Sequence, residues 1–342
     1  MKAEFEYNCK ATMIGSLPSA DAESACRQVI KYLPGLPAWP QLPARSSLEN
    51  MYVQYSEGFP GAVIADGKVT VKPGPEFDDE LALLYLAHAD NNVDRYAVSP
   101  DYAAGLYALA GSGQVKHGAV KGQVTGPVSW GLCVTDASGR GILYDDLLAD
   151  AAAKFLRLKA AWQEKFLRKL APQTVIFIDE PYLASLGSAF ISISSEQVSL
   201  LLEEVLSGLS GIKGIHCCGG TDWTLLLKSS IDVLNFDAYN YFESLACYPD
   251  EVHAFIKRGG AIAWGIVPND EEVLQKESLP SLSDRLEAAI AFFSSDGISF
   301  KELVSRSLVT PSCGLDSLSP DAAEEVFRLL AGLSEKFRAK YT

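Results

Sequence analysis

The sequence predicts an α/β fold, a single TIM-type (β/α)8 barrel. Three observations carry this expectation. Eight short apolar runs recur along the 342 residues. Amphipathic stretches at helical spacing separate them, and strand then helix repeated eight times is the pattern of a closed parallel barrel. No Pro/Gly/Ser-rich linker or charge block divides the chain, so residues 1–342 read as one domain. An open doubly wound sheet is the alternative that the same alternation allows.

The strand segments, in order, are Ala11–Gly15, Pro37–Gln41, His117–Val124, Thr174–Asp179, Gly214–Cys217, Val233–Asp237, Ala261–Gly265 and Ser307–Thr310. Each is brief, and most end in or run into Gly, Pro, Asp or Ser. Helices fill the gaps. Ala20–Leu33 follows Ser19, an N-cap residue type. Ser47–Glu57 and Glu76–Asp90 are amphipathic, and Leu143–Leu170 keeps apolar residues at helical spacing. Ser194 stands three residues before Gln197, a capping-box-like start for Ser195–Leu209. Asp222–Ser229, Pro249–Arg258 and Ser283–Ser294 follow. Ser319–Lys336 opens Ser-Pro-Asp, with Pro320 in the first turn. One stretch departs from this rhythm. Ala62–Val71 alternates apolar and polar residues around Asp66-Gly67, which predicts a small β-hairpin inserted in the second βα connection.

Composition narrows the class. The chain is 48% hydrophobic and 21% charged, enough for a large core, which excludes a disordered tail, a coiled coil and a collagen-like fibre. A net charge of −14 argues against nucleic acid and anionic membranes as partners. No stretch reaches the roughly 18–20 apolar residues of a membrane helix. Met1–Thr12 carries Lys2, Glu4, Glu6 and Lys10 and no apolar signal region, so the expected location is cytoplasmic. The seven Cys are an odd number in a long chain. They read as buried apolar groups or as reactive or metal-binding thiols rather than as a disulfide framework.

Barrel enzymes carry their chemistry at the C-terminal ends of the strands. Those ends read Ile14-Gly15-Ser16, Trp39-Pro40-Gln41, Thr125-Gly126-Pro127, Asp179-Glu180-Pro181, His216-Cys217-Cys218, Asp237, Pro268-Asn269 and Pro311-Ser312-Cys313-Gly314. Polar and metal-capable residues collect there, which favours an enzyme. His216 and Cys218 stand two apart on a strand end and so share a side. Imidazole and thiolate together suit Zn²⁺, with Cys313 at another strand end as a further soft ligand. The bland reading of His216 and Cys218 is two half-buried residues. Asp179 and Glu180 are adjacent carboxylates, and alternation sends them to opposite faces. One faces a substrate while the other pairs with a neighbour, or the aspartate caps the next helix. The Ile14-Gly15-Ser16 turn offers backbone N–H groups to a carboxylate ligand. Trp39, Trp130 and Trp264 lie near strand ends, where they line the mouth or pack in the core and rim.

The Thr12–Ser16 segment, the Thr125-Gly126-Pro127 turn, Asp179-Glu180-Pro181, His216-x-Cys218 and Pro311-Ser312-Cys313-Gly314 together resemble cobalamin-independent methionine synthase. The resemblance is to its catalytic C-terminal barrel. The wider superfamily includes uroporphyrinogen decarboxylase and corrinoid-dependent methyltransferases. The resemblance implies a zinc-dependent methyltransferase acting on the thiol of homocysteine to form methionine. It implies His216, Cys218 and Cys313 as zinc ligands and catalytic residues acting through the metal. Asp237 stands where the family places a ligand Glu. It also puts the acceptor's carboxylate at Ile14-Gly15-Ser16, its ammonium at Asp179, and Gln41 where a family Glu helps bind the amino acid. Two departures bear on the methyl donor. Members that use methyl-tetrahydrofolate carry a second, N-terminal barrel and a His after strand seven. Here the chain has one barrel's length, and Val267 stands at the His position. The expected donor is therefore methylcobalamin or a methylated corrinoid protein, which would dock despite the net negative charge or through a locally basic patch. The rival expectations are a corrinoid-dependent methyltransferase acting on a small thiol like coenzyme M, and a non-catalytic corrinoid- or zinc-binding module.

Overall fold

The computed structural model describes residues 5–115, 118–188, 191–295 and 297–342. His117, the first residue of the expected third strand, lies outside them. The chain is an α/β protein built on a curled, parallel, seven-stranded sheet. Its strands are β1 (Lys10–Ala11), β4 (Ala119–Thr125), β6 (Gln173–Asp179), β7 (Ile212–Cys217), β8 (Val233–Phe236), β9 (Ala261–Val267) and β10 (Ser307–Pro311). They lie in the order β1-β10-β9-β8-β7-β6-β4. Helices connect them on the outside, as parallel neighbours require.

The two edges of this sheet meet through residues 37–41. Lys121 N–H donates to Pro37 O at 2.8 Å, and Trp39 N–H donates to Lys121 O at 3.3 Å. On the other side Gln41 N–H donates to Gly15 O and Leu17 N–H to Gln41 O, each at 3.0 Å. Isolated parallel bridges Ala38↔Lys121 and Ser16↔Gln41 record the same contacts. The arrangement is that of a TIM-like barrel. The expected second strand forms only these bridges because Pro37 and Pro40 have no N–H to donate. The first strand is likewise shorter than expected, with a ladder of Lys10–Ala11 alone.

Alternation sorts the side chains into layers. Ala119, Val175, Phe177, Val233, Ala261, Ala263 and Leu308 meet in one apolar cluster that plugs the lumen. The intervening Val120, Ile176, Ile178, Ile215, Leu234 and Val309 belong to the larger core under the helices. Above the plug, the same inward-facing rows turn polar: Lys121 and Gln123, then Asp179, His216, Asn235 and Thr310, all buried. Asp179 pairs in register with His216, and His216 with Asn235. Three polar side chains therefore stand side by side on adjacent strands.

Two other segments need comment. β2 (Ala62–Ala65) pairs antiparallel with β3 (Lys68–Val71), which in turn runs parallel to β5 (Thr135–Asp136). Asp66 and Gly67 have φ of 51° and 70°, the doubly left-handed turn that suits a two-residue hairpin. Trp39, Trp130 and Trp264 are fully buried and donate to Gln163, Tyr52 O and Ser307. They are core residues and do not line the mouth. No described helix is long and apolar enough to cross a membrane.

The irregular second strand depends on a close helix contact. A Cβ on Gly105, in the helix Ala104–Gly111, would fall 1.9 Å from Pro40 O. Gly105→Ala must push that helix off residues 37–41, and we expect a loss of about 1–3 kcal/mol, read by urea denaturation. The exposed Gly111→Ala, which meets no atom within 4 Å, is the matched control, and equal midpoints for the two would disprove the contact's importance.

Candidate metal centre and its cavity

A cavity of about 350 Å³ opens at the C-terminal ends of the strands. Ile14, Ser16, Gln41, Asp179, His216, Cys218 and Cys313 all line it. A larger cavity, about 1000 Å³, lies at the opposite end beside the strand starts. The donor chemistry is at the smaller one.

His216, Cys218 and Cys313 bring one ligand atom each to within 4.8 Å of one another. His216 is the penultimate residue of β7, and Cys218 follows directly after the strand. Cys313 comes from the turn after β10. His216 Nε2 and Cys313 Sγ are 3.8 Å apart. Tetrahedral bonds to Zn²⁺ of ordinary length separate N and S ligands by about 3.6 Å, so this donor set fits the ion with an open fourth position. The imidazole is oriented from behind. Asn235 Nδ2 donates to Ala263 O and to Thr310 Oγ1, both at 2.8 Å. Its Oδ1 must then face His216 Nδ1, 2.5 Å away. That contact puts the ring proton on Nδ1 and leaves the Nε2 lone pair for the cavity.

The thiols are coupled. The Cys313 hydrogen bond holds the Cys218 thiol below its ordinary range, and the same bond, with burial, pushes Cys313 up. For His216 burial works against the charged form, yet contacts with Cys313, Asp179 and Asn235 outweigh it and raise the pKa. The Cys313 turn is clamped by Asn269, whose Oδ1 accepts from Ser312 Oγ at 2.8 Å and whose Nδ2 donates to Gly314 O at 3.2 Å.

The two adjacent carboxylates separate as alternation requires. Glu180 turns outward and caps the helix Pro127–Cys133, accepting from Val128 N–H, Ser129 N–H and Ser129 Oγ. A Cβ on Gly126 would fall 2.2 Å from its Oε1, so this turn needs glycine. Asp179 turns inward. It is 5% exposed, and its Oδ1 has no hydrogen-bond partner among the described residues. Burial raises its pKa to about 6, against the charges of Lys121 and His216. A buried, unpaired carboxylate oxygen facing a cavity is a place for a cationic or N–H-bearing ligand.

The Ile14-Gly15-Ser16 turn faces the same cavity from the opposite rim. Lys121 Nζ donates to Ile14 O at 2.5 Å. A Cβ on Gly15 would fall 2.2 Å from Gln41 Oε1, and Gln41 Nε2 donates to Gln54 at 2.6 Å. Asp237 stands outside the group of three. Its carboxylate accepts from Asn240 N–H and Asn240 Nδ2 and caps the helix Ala238–Ala246. Val267 is fully buried. Sequence reading missed Glu49, Asn235, Asp316 and Lys121, and named Asn269 as a strand-end residue without a role. A signal existed for Lys121 and Asn235, because each is polar on the inward phase of an otherwise apolar strand.

No family model matches this chain, and no curated protein does. Solved structures do resemble it. One is a B12-independent methionine synthase from Shewanella sp. W3-18-1, in complex with selenomethionine. It is 15% identical, with a TM-score of 0.61 over 97% of this chain and 98% of that one. Another is a methyltransferase from Methanosarcina mazei, 13% identical, with a TM-score of 0.54 over 98% and 99% of the two chains. At these identities the likeness is one of fold. This chain has the fold that a cobalamin-independent methionine synthase and a related methyltransferase share.

Proposed function

We propose that this protein is a zinc-dependent methyltransferase that moves a methyl group to the thiol of homocysteine, forming methionine. The observation that carries the reading is one cavity with two ends. A His216–Cys218–Cys313 donor set stands at one, and the unpartnered Asp179 carboxylate stands close by. Bound at the donor set, Zn²⁺ lowers the pKa of the acceptor thiol so that a thiolate exists at neutral pH. Asp179 holds the acceptor's ammonium, and the Ile14-Gly15-Ser16 turn takes its carboxylate. Asn235 keeps His216 in one tautomer. The sulfur then attacks the donor's methyl carbon in line. The S–CH₃ bond forms as the donor–CH₃ bond breaks, and that electron pair leaves with the donor. Fixed geometry supplies much of the rate. Asp237, engaged with Asn240, is available as a fourth ligand only if that helix cap opens.

The length of the chain does not select the donor. It spans 98% of the Shewanella protein, which is described as B12-independent. The expectation of methylcobalamin or a corrinoid protein then stands on Val267, which has no proton to deliver to a folate leaving group. Incubating the zinc form and homocysteine with methylcobalamin or with methyl-tetrahydrofolate separates the donors. Methionine is expected from the corrinoid, and methionine from the folate alone would reverse that choice. Methionine from neither would favour another small thiol or a binding module.

Four variants test the site itself. Cys218→Ser or Cys313→Ser should abolish turnover and stoichiometric zinc, measured by metal analysis, while Asn235→Ala should weaken zinc about 10–100-fold in chelator competition. Full zinc occupancy in both cysteine variants would refute the donor set. Asp179→Asn should raise KM for homocysteine about 10–100-fold, the range for a hydrogen bond to a charged group. It should leave 4-mercaptobutanoate, which has no amine, unchanged. An equal loss for both thiols would show that Asp179 does not read the ammonium.

A further inference from the structure

The described lining of the cavity contains three carboxylates, Glu49, Asp179 and Asp316, and no lysine or arginine. Glu49 is neutralised at its back by Arg45, 2.7 Å away. Lys121 lies beneath the floor and spends its donors on Ile14 O and Gln123. An amino-acid acceptor thus finds carboxylates for its ammonium, but for its own carboxylate only neutral donors, among them the Ile14-Gly15-Ser16 turn. The one side-chain donor of that turn is already engaged. Ser16 Oγ donates its one proton to Asp316 Oδ1 at 2.6 Å.

The contact is built into the backbone. Leu315 N–H donates to Ser16 O at 3.0 Å, tying the residue before Asp316 to the turn. Gly314 lets the two segments approach, because a Cβ there would lie 2.2 Å from Ser16 Oγ and 3.2 Å from Asp316 Oδ1. Asp316 itself is exposed at the rim and free to swing out.

We infer that Asp316 is a specificity-determining residue: its carboxylate occupies the Ser16 hydroxyl that an acceptor's carboxylate would use, and so biases the site toward amine-bearing thiols without one. This rests on the thiol-acceptor reading above. An amino-acid thiol must displace Asp316 or sit beside a like charge. An aminothiol of the same length meets neither obstacle and still reaches Asp179.

The test is calorimetric titration of the zinc-loaded protein with homocysteine and with 3-aminopropane-1-thiol, the same molecule without its carboxylate. In Asp316→Asn and Asp316→Ala the ratio of the homocysteine Kd to the aminothiol Kd should fall about tenfold, the scale of one partly exposed like-charge contact. Thermal melting should not change, because Asp316 is at the surface. A ratio within twofold of the unaltered protein's overturns the inference while both thiols still bind. If neither thiol binds the unaltered protein, the thiol reading falls, and this inference falls with it.

Discussion

Side-chain alternation in a parallel barrel is the constraint on which the site depends. Four inward-facing rows start with a small or apolar residue and end polar: Ala119 to Lys121 and Gln123, Val175 and Phe177 to Asp179, Val233 to Asn235, Leu308 to Thr310. The lower layer is packed with buried apolar side chains. The upper layer must therefore satisfy its own polar groups or offer them to a ligand. Glu180, one residue on from Asp179, shows the other side of the rule. The same chemistry on the opposite phase becomes a helix cap with every oxygen engaged.

Asn235 joins the strands of this layer. One amide bonds β9 through Ala263 O, β10 through Thr310 and β7 through His216. The carboxamide fixes its own orientation by donating twice, and the imidazole inherits that orientation. Neither Asp nor Leu would do this, since the first has no N–H to donate and the second no polar atom. The Asn269–Ser312 pair does the corresponding work for Cys313 by holding its turn from the neighbouring strand end. The donor set is thus rigid on two of its three sides before any metal arrives, which favours a fixed coordination geometry.

Much of this was legible in the sequence because strand ends, Gly turns and the His-x-Cys spacing are local features. The parallel strands from β4 to β10 and the meeting of His216, Cys218 and Cys313 follow from period and from barrel topology. The second strand was placed correctly but not its weakness, although Pro37 and Pro40 were visible in the sequence. The tryptophans near strand ends were ambiguous because alternation decides core from mouth, and one residue of register separates the two. Asp316 and Glu49 were out of reach. Both act through folded-back loops, and no local pattern states that Leu315 will dock on Ser16 or that Arg45 will neutralise Glu49.

The buried charges beneath the cavity give it a direction. Lys121 is fully buried, donates to Ile14 O and lies 4.5 Å over the Phe177 ring. Burial lowers its pKa to about 8, and Asp179 works against that. Burial raises Asp179 to about 6, and Lys121 works against that in turn. Each group favours the charged form of the other. The positive end is bonded to Ile14 O beneath the cavity, while the negative end belongs to a residue that lines the cavity and keeps one buried oxygen without a partner among the described residues. The floor is thus a dipole that attracts a cation and holds the turn opposite at a fixed height. On the proposed reading, an acceptor held by its ammonium on Asp179 would rest on the apolar cluster below, with its thiol arm directed at His216, Cys218 and Cys313.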